Sequence, residues 1–217
     1  MCFNNETLSL VRVSFNIINS ANVISSCKLK STSASSPARL VRWNNNNHVG
    51  TILNVDSSCI GDPIRTGFGG VLRNHSGTYI SGFSGYINSP TDILFTELAT
   101  LYEGLKLAIS LNFEEVVCYS DSLLTVNLIK EDICRYHVYA VLFQNIKDLK
   151  SSRNFSLEHS LREGNQCADY MAKLGASTDD IFTVHSSPPE LLIPLLGKDE
   201  IGSILEDMLG TKISKTC

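Results

Sequence analysis

The sequence predicts an α/β fold: a five-stranded mixed sheet, three antiparallel strands plus parallel strands, flanked by helices. Three observations predict it. Apolar runs before and after residue 60 lead into Asn74-His75-Ser76-Gly77, a hairpin turn followed by a third run. Apolar residues then recur at Leu94, Leu98, Leu101, Leu105 and Ile109, the spacing of a core-facing helix. Beyond that helix, short apolar runs alternate with helical ones, as they do where parallel strands carry helices across a sheet.

The elements follow in order. Ile52 to Asp56 alternates and reads as the first strand, and Gly61-Asp62-Pro63 as a turn. Phe68 to Arg73 is the second strand. Thr78 to Ile87 is the third, punctuated by Gly82 and Gly85. Thr91 to Ser110 is the first helix, and Glu115 to Tyr119 a buried strand. Ser122 to Lys130 and Tyr139 to Ser151 are helices, the second carrying Phe143, Ile146 and Leu149 inward. Phe155 to His159 is a strand and Asn165 to Leu174 the last helix, which gives βββαβααβα over a domain of residues 49–177. Residues 1–48, rich in Ser and Asn, read as a disordered or extended leader whose one periodic piece is Leu8 to Ile18. Residues 178–217 read as a tail with a short helix, entered through Ser186-Ser187-Pro188-Pro189. No chemistry is expected from that tail.

Composition narrows the function. A hydrophobic share of 43% in 217 residues supports one packed domain with extensions. No run approaches the roughly 18 apolar residues of a membrane helix, so no membrane partner is expected. Seven cysteines without a Cys-x-x-Cys spacing point to reduced thiols inside a cell, in nucleus or cytoplasm, and away from zinc. The Ser-rich, acid-poor start also fits an organellar transit peptide. Charge argues against tight nucleic-acid binding. Residues 1–50 carry five cations against Glu6, a net of +4; the whole chain is −4, which leaves −8 for the remainder.

Four acids stand out: Asp56 after Leu53-Asn54-Val55, Glu97 in Thr96-Glu97-Leu98, Asp121 after Tyr119-Ser120, and Asp169 in Cys167-Ala168-Asp169. Taken singly, each is more often a turn former, a cap or a first-turn acid. Together, at strand ends and helix starts, they can converge on one sheet edge. Carboxylates so gathered repel unless hard cations hold them, and Mg²⁺ is the usual choice. A pair of such ions roughly 4 Å apart hydrolyses phosphodiesters.

Five pieces carry a resemblance: Leu53-Asn54-Val55-Asp56-Ser57-Ser58, residues 67–77, Glu97 to Leu105, Tyr119-Ser120-Asp121-Ser122 and Arg162-Glu163-Gly164-Asn165-Gln166-Cys167-Ala168-Asp169. In order and spacing they resemble the type 1 ribonuclease H superfamily, and within it the plant reverse-transcriptase-like ribonuclease H domain of retrotransposons. The resemblance covers roughly Trp43 to Ala176. It implies a ribonuclease H-like fold and an enzyme, a nuclease that cuts the RNA strand of RNA–DNA hybrids with two Mg²⁺, or Mn²⁺. Asp56, Glu97, Asp121 and Asp169 would hold the ions, with His159 as a further catalytic group at the proton or product step. Ser57, Ser58, Ser122, Arg162 and Asn165 would touch substrate. Where the family has Gly after the first Asp, this chain has Ser57, and Phe95-Thr96 stand where an Asn often precedes the Glu. The lysine-rich insertion of many members is replaced by the short Lys130 to His137, so grip would fall to Arg65, Arg73, Arg135, Arg162 and Lys173. The alternative is an inactive retroelement-derived domain that serves in nucleic-acid or protein interaction.

Overall fold

The computed structural model describes residues 40–41, 43–44, 46–88, 92–131, 137–201 and 203–204. All lie in the compact unit Ala38–Cys217; the chain's other unit is Met1–Pro37. Most of the expected leader, the Leu8 to Ile18 run, Arg135 and the chain beyond 204 fall outside the described residues.

The elements are β1 (Thr51–Ile60), β2 (Arg65–Arg73), β3 (Tyr79–Ile87), α1 (Ile93–Ser110), β4 (Glu115–Ser120) and α2 (Leu123–Lys130). They continue with α3 (Ala140–Ser152), β5 (Asn154–His159), α4 (Gln166–Ser177), β6 (Thr183–His185) and α5 (Ile193–Ile201). The sheet runs β5-β4-β1-β2-β3-β6. β1, β2 and β3 are antiparallel, while β4 lies parallel to β1 and β5 parallel to β4. This is the predicted mixed sheet with one strand more. The sixth strand, β6, pairs antiparallel with β3, Val184 opposite Phe83. Three residues are too few to show alternation. Phe182 stacks on Phe68 and Phe83 just before it.

Local chemistry explains the boundaries. Asn74 Oδ1 accepts from the N–H groups of Ser76 and Thr78, and Gly77 takes φ 89°, which closes the β2–β3 hairpin. Asp92 caps α1 by accepting from the Leu94 N–H. Ser122 caps α2 through Thr125 N–H. One boundary differs from expectation. β1 does not end at Asp56 but continues to Ile60, because Ser57 to Ile60 pair with Arg65 to Phe68. Polar residues at a half-buried edge hide such a continuation.

The sheet is packed on both faces. Leu53, Val55, Leu72 and Phe83 are buried in one cluster with Leu98, Leu101 and Leu105 of α1. Each such side chain contributes about 1.5–3 kcal/mol by leaving water. On the other face Val71 meets Cys167 and Met171 of α4. There the strands carry glycine. A Cβ on Gly67 would stand 2.1 Å from the Ala176 nitrogen, and one on Gly69 2.5 Å from the Met171 carbonyl carbon. Only glycine lets α4 lie so close to β2.

Arg73 lies under this helix face, 1% exposed. Its Nη1 donates to Asp199 Oδ2 of α5 at 2.7 Å and its Nη2 to Asn54 Oδ1 at 2.8 Å. Its guanidinium sits 4.0 Å from the centre of the Trp43 ring. The Cys167 thiol donates to the same Asp199 oxygen, and burial pushes that thiol up to about 12. Trp43, ahead of the strands, and Asp199, in the tail, thus close one buried polar group.

Candidate functional site

The parallel ladder between β1 and β4 ends at Val55 opposite Ser120. The next residues are Asp56 and Asp121. Register alone therefore sets these two carboxylates side by side at the carboxyl end of the parallel strands, where α/β sheets bind ligands. Glu97 arrives from the second turn of α1 rather than the first. One ligand atom each from Asp56, Glu97 and Asp121 lies within 4.8 Å of the others.

The cluster is poorly compensated. Asp56 is 6% and Glu97 7% exposed. Burial pushes Asp56 up to about 8, and the charges of Asp121, Glu97 and Asp169 push the same way. Burial likewise pushes Glu97 up to about 7, against the pull of a hydrogen bond from Ser57. Ser57 serves both acids: its N–H donates to Asp56 Oδ1 at 2.8 Å, its hydroxyl to Glu97 Oε1 at 2.6 Å. Glu97 Oε2 is buried and accepts no hydrogen bond. Oxygen ligands gathered in this way fit a hard divalent cation.

The fourth acid stands apart. Asp169 lies in the first turn of α4, on the rim of the cleft that Asp56, Ser57, Ser58, Asp121 and Arg162 also line, about 420 Å³ in volume. Its carboxylate accepts from Lys173 Nζ at 2.6 Å. Three of the four predicted acids meet, and Asp169 faces them with its own counter-ion.

The other predicted residues divide. Ser57, Ser58 and Arg162 line the cleft, and Arg162, its side chain 90% exposed, donates through Nε to Asp121 Oδ2 at 3.2 Å. Ser122 is turned to its capping role. Asn165 is 1% exposed and donates to the Val55 carbonyl at 2.9 Å. It fastens α4 to β1 beside Asp56, which corrects its assignment to substrate. His159 ends β5 opposite Ser120, at the strand end expected of it, and is not among the residues lining the cleft. Of the cations expected to grip a strand, Arg73 is buried in its ion pair and Arg65 donates to the Ala176 and Thr178 carbonyls. Both are corrections: an arginine in a sequence shows its charge but not its partner. Cys59 and Gln166 also line the cleft. The strand period signals Cys59, two residues after Ser57. The four-residue spacing signals the Asp169–Lys173 pair.

A family profile described as reverse transcriptase-like matches residues 54–175, more than half of the chain. The chain belongs to that family. The chain is 29% identical over 155 residues to an Arabidopsis thaliana protein named "Putative ribonuclease H protein". The match takes in 70% of the chain but only 24% of that relative, so the chain spans about a quarter of its length. Among solved structures, the N-terminal RNase H domain of a Mycobacterium tuberculosis protein superposes with TM-score 0.52 at 24% identity, covering 59% of this chain and 94% of that one. LC11-RNase H1, isolated from compost and solved in complex with RNA/DNA hybrid, gives 0.51 at 25%, covering 58% and 96%. The reverse transcriptase-like domain has the RNase H fold. Among its described residues no helix is long and apolar enough to cross a membrane.

Proposed function

We propose that this domain is a divalent-metal-dependent endonuclease that cuts the RNA strand of RNA–DNA hybrids. The observation that carries the reading is the meeting of Asp56, Glu97 and Asp121, with Asp56 and Asp121 lining an open cleft and no buried cation beside them among the described residues. The hybrid bound by one structural neighbour supports the substrate class. Asp56, Glu97 and Asp121 would hold the metal, Mg²⁺ or Mn²⁺, and Asp169 would join them once Lys173 lets go. When bound, two such ions supply an activated water and stabilise the leaving 3′ oxygen.

The chain's own residues do the rest. Ser57 and Asn165 fix the carboxylates and the strand that bears them. Arg162 stands exposed at the cleft and meets a backbone phosphate, while Ser58 lines the same wall. His159 acts at the proton or product step. Recognition is of backbone and 2′-hydroxyls rather than base sequence. The catalytic unit is residues 49–177, of retroelement ancestry.

The test is cleavage of a labelled hybrid with Mg²⁺, Mn²⁺ or chelator, by the wild type and by Asp121→Asn. Metal-dependent cleavage lost in the variant is the expected result. Equal behaviour of the two proteins would replace the nuclease by the interaction domain.

A further inference from the structure

Ser57 occupies an unusual place. Leu53 and Val55 face α1, where a Cβ on Gly104 would stand 3.0 and 3.1 Å from them. Strand alternation puts Ser57 on that same face, toward the helix that bears Glu97. Asn54 and Asp56 face the other way, toward α4. Glu97 and Asp56 therefore approach the cluster from opposite faces of β1, and one residue touches both. The Ser57 N–H donates to Asp56 Oδ1 and the hydroxyl to Glu97 Oε1.

The hydroxyl bond has a directional consequence. A glutamate side chain has three rotatable bonds, and Glu97 reaches the cluster from the second turn of a helix. With Oε1 accepting from Ser57 at 2.6 Å, the carboxylate is held by one oxygen. The other, Oε2, is buried with no hydrogen-bond partner. A carboxylate so held offers one unengaged lone-pair edge and loses little freedom when a cation takes it.

We infer that the Ser57 hydroxyl is a positioning group for the metal site: it orients Glu97 so that Oε2 stays free for a divalent cation. Ser57 does not contact the ion. It acts through Glu97, as outer hydrogen-bond partners of metal ligands do. The inference rests on the metal-site reading above and assigns this chain a device built on a side chain that glycine cannot provide.

The experiment measures metal binding without substrate, by calorimetric titration of Mg²⁺ and of Mn²⁺ into the full chain. Four proteins are compared: wild type, Ser57→Ala, Ser57→Gly and Ser57→Thr. Both variants without a hydroxyl should bind the ions about tenfold more weakly, while Ser57→Thr stays within about twofold of wild type. Melting temperatures in chelator identify any variant that fails to fold, and the alanine and glycine variants serve as each other's check. Alanine and glycine variants that bind as tightly as wild type, or more tightly, overturn the proposal and leave the metal site standing. A threonine variant as weak as alanine overturns it too, since the loss then tracks packing. If the wild type binds neither ion, the metal-site reading itself falls and takes this proposal with it.

Discussion

Two groups of buried charge are centred two residues apart on β1, at Asn54 and at Asp56. Around Asn54, the Arg73 guanidinium meets Asp199, the Asn54 side-chain oxygen Oδ1 and the Trp43 ring. Around Asp56, three acids meet with no buried cation among them. The same helix, α4, contributes to both, Cys167 to the first and Asp169 to the second. The contrast separates two uses of buried charge. A paired group holds one arrangement of the chain, because removing either partner strands the other charge. An uncompensated group strains the fold and waits for a ligand.

The largest expected effect is on the open group. Asp121→Asn should lower hybrid cleavage by about a thousandfold, roughly 4 kcal/mol of barrier. Its melting temperature in chelator should hold or rise, because one repelling charge is gone. A variant that melts lower would mean that this group, too, holds the fold.

The closed group should behave in the opposite way. Arg73→Met leaves Asp199 buried without its partner and should cost about 3–5 kcal/mol, a fall in melting temperature of about 10 °C. Cleavage per folded molecule should be unchanged at low temperature. The double variant Arg73→Met, Asp199→Leu should recover part of the loss. Denaturant titration of the three proteins decides it, and a mild single variant would erase the distinction between the groups.

A third effect is on pH. Asp56 and Glu97 take up protons more readily folded than unfolded, so their contribution is full below about pH 4 and is lost as pH rises through about 7 and 8. The chelated protein should therefore melt lower at pH 8.5 than at pH 5.5. Millimolar Mg²⁺ should restore it most at the higher pH, where the ligands are free of protons. Scanning calorimetry with and without Mg²⁺ reads both slopes; an unchanged melting temperature throughout would count against the site. The smallest effect is expected of His159→Ala, less than about tenfold in turnover, because His159 stands outside the cleft lining. A loss like that of Asp121→Asn would mean that His159 carries as much of the barrier as a metal ligand does.

What the sequence disclosed follows the range of the interactions. The Asn74–Gly77 hairpin, the α1 core stripe and the carboxylates of Asp56 and Asp121 rest on neighbours a few residues away, and all were legible. Arg73 was read as a phosphate ligand because its partner, Asp199, lies 126 positions on. Asn165 was read as a substrate contact because nothing local says that Val55 lies beneath it. β6 escaped because three residues show no period. Within the site, Ser57 was read as a substrate contact; its bond to Glu97 spans 40 positions and appears only once α1 is folded over β1.

The glycines beneath α4 bear on tolerance to error. Side-chain layers are compliant: a lost methylene is absorbed by rotamers and small helix shifts. Backbone seated on backbone at Gly67 and Gly69 has no such layer. The spacing of Asp169 from Asp56 then follows from backbone-to-backbone contact and not from how well the core happens to fill. Substitutions on the α1 side can soften the protein while that spacing holds. A single methyl at Gly67 does the reverse. It has to push α4 off β2, and on the nuclease reading proposed above a displacement of about an ångström is expected to cost cleavage about a hundredfold.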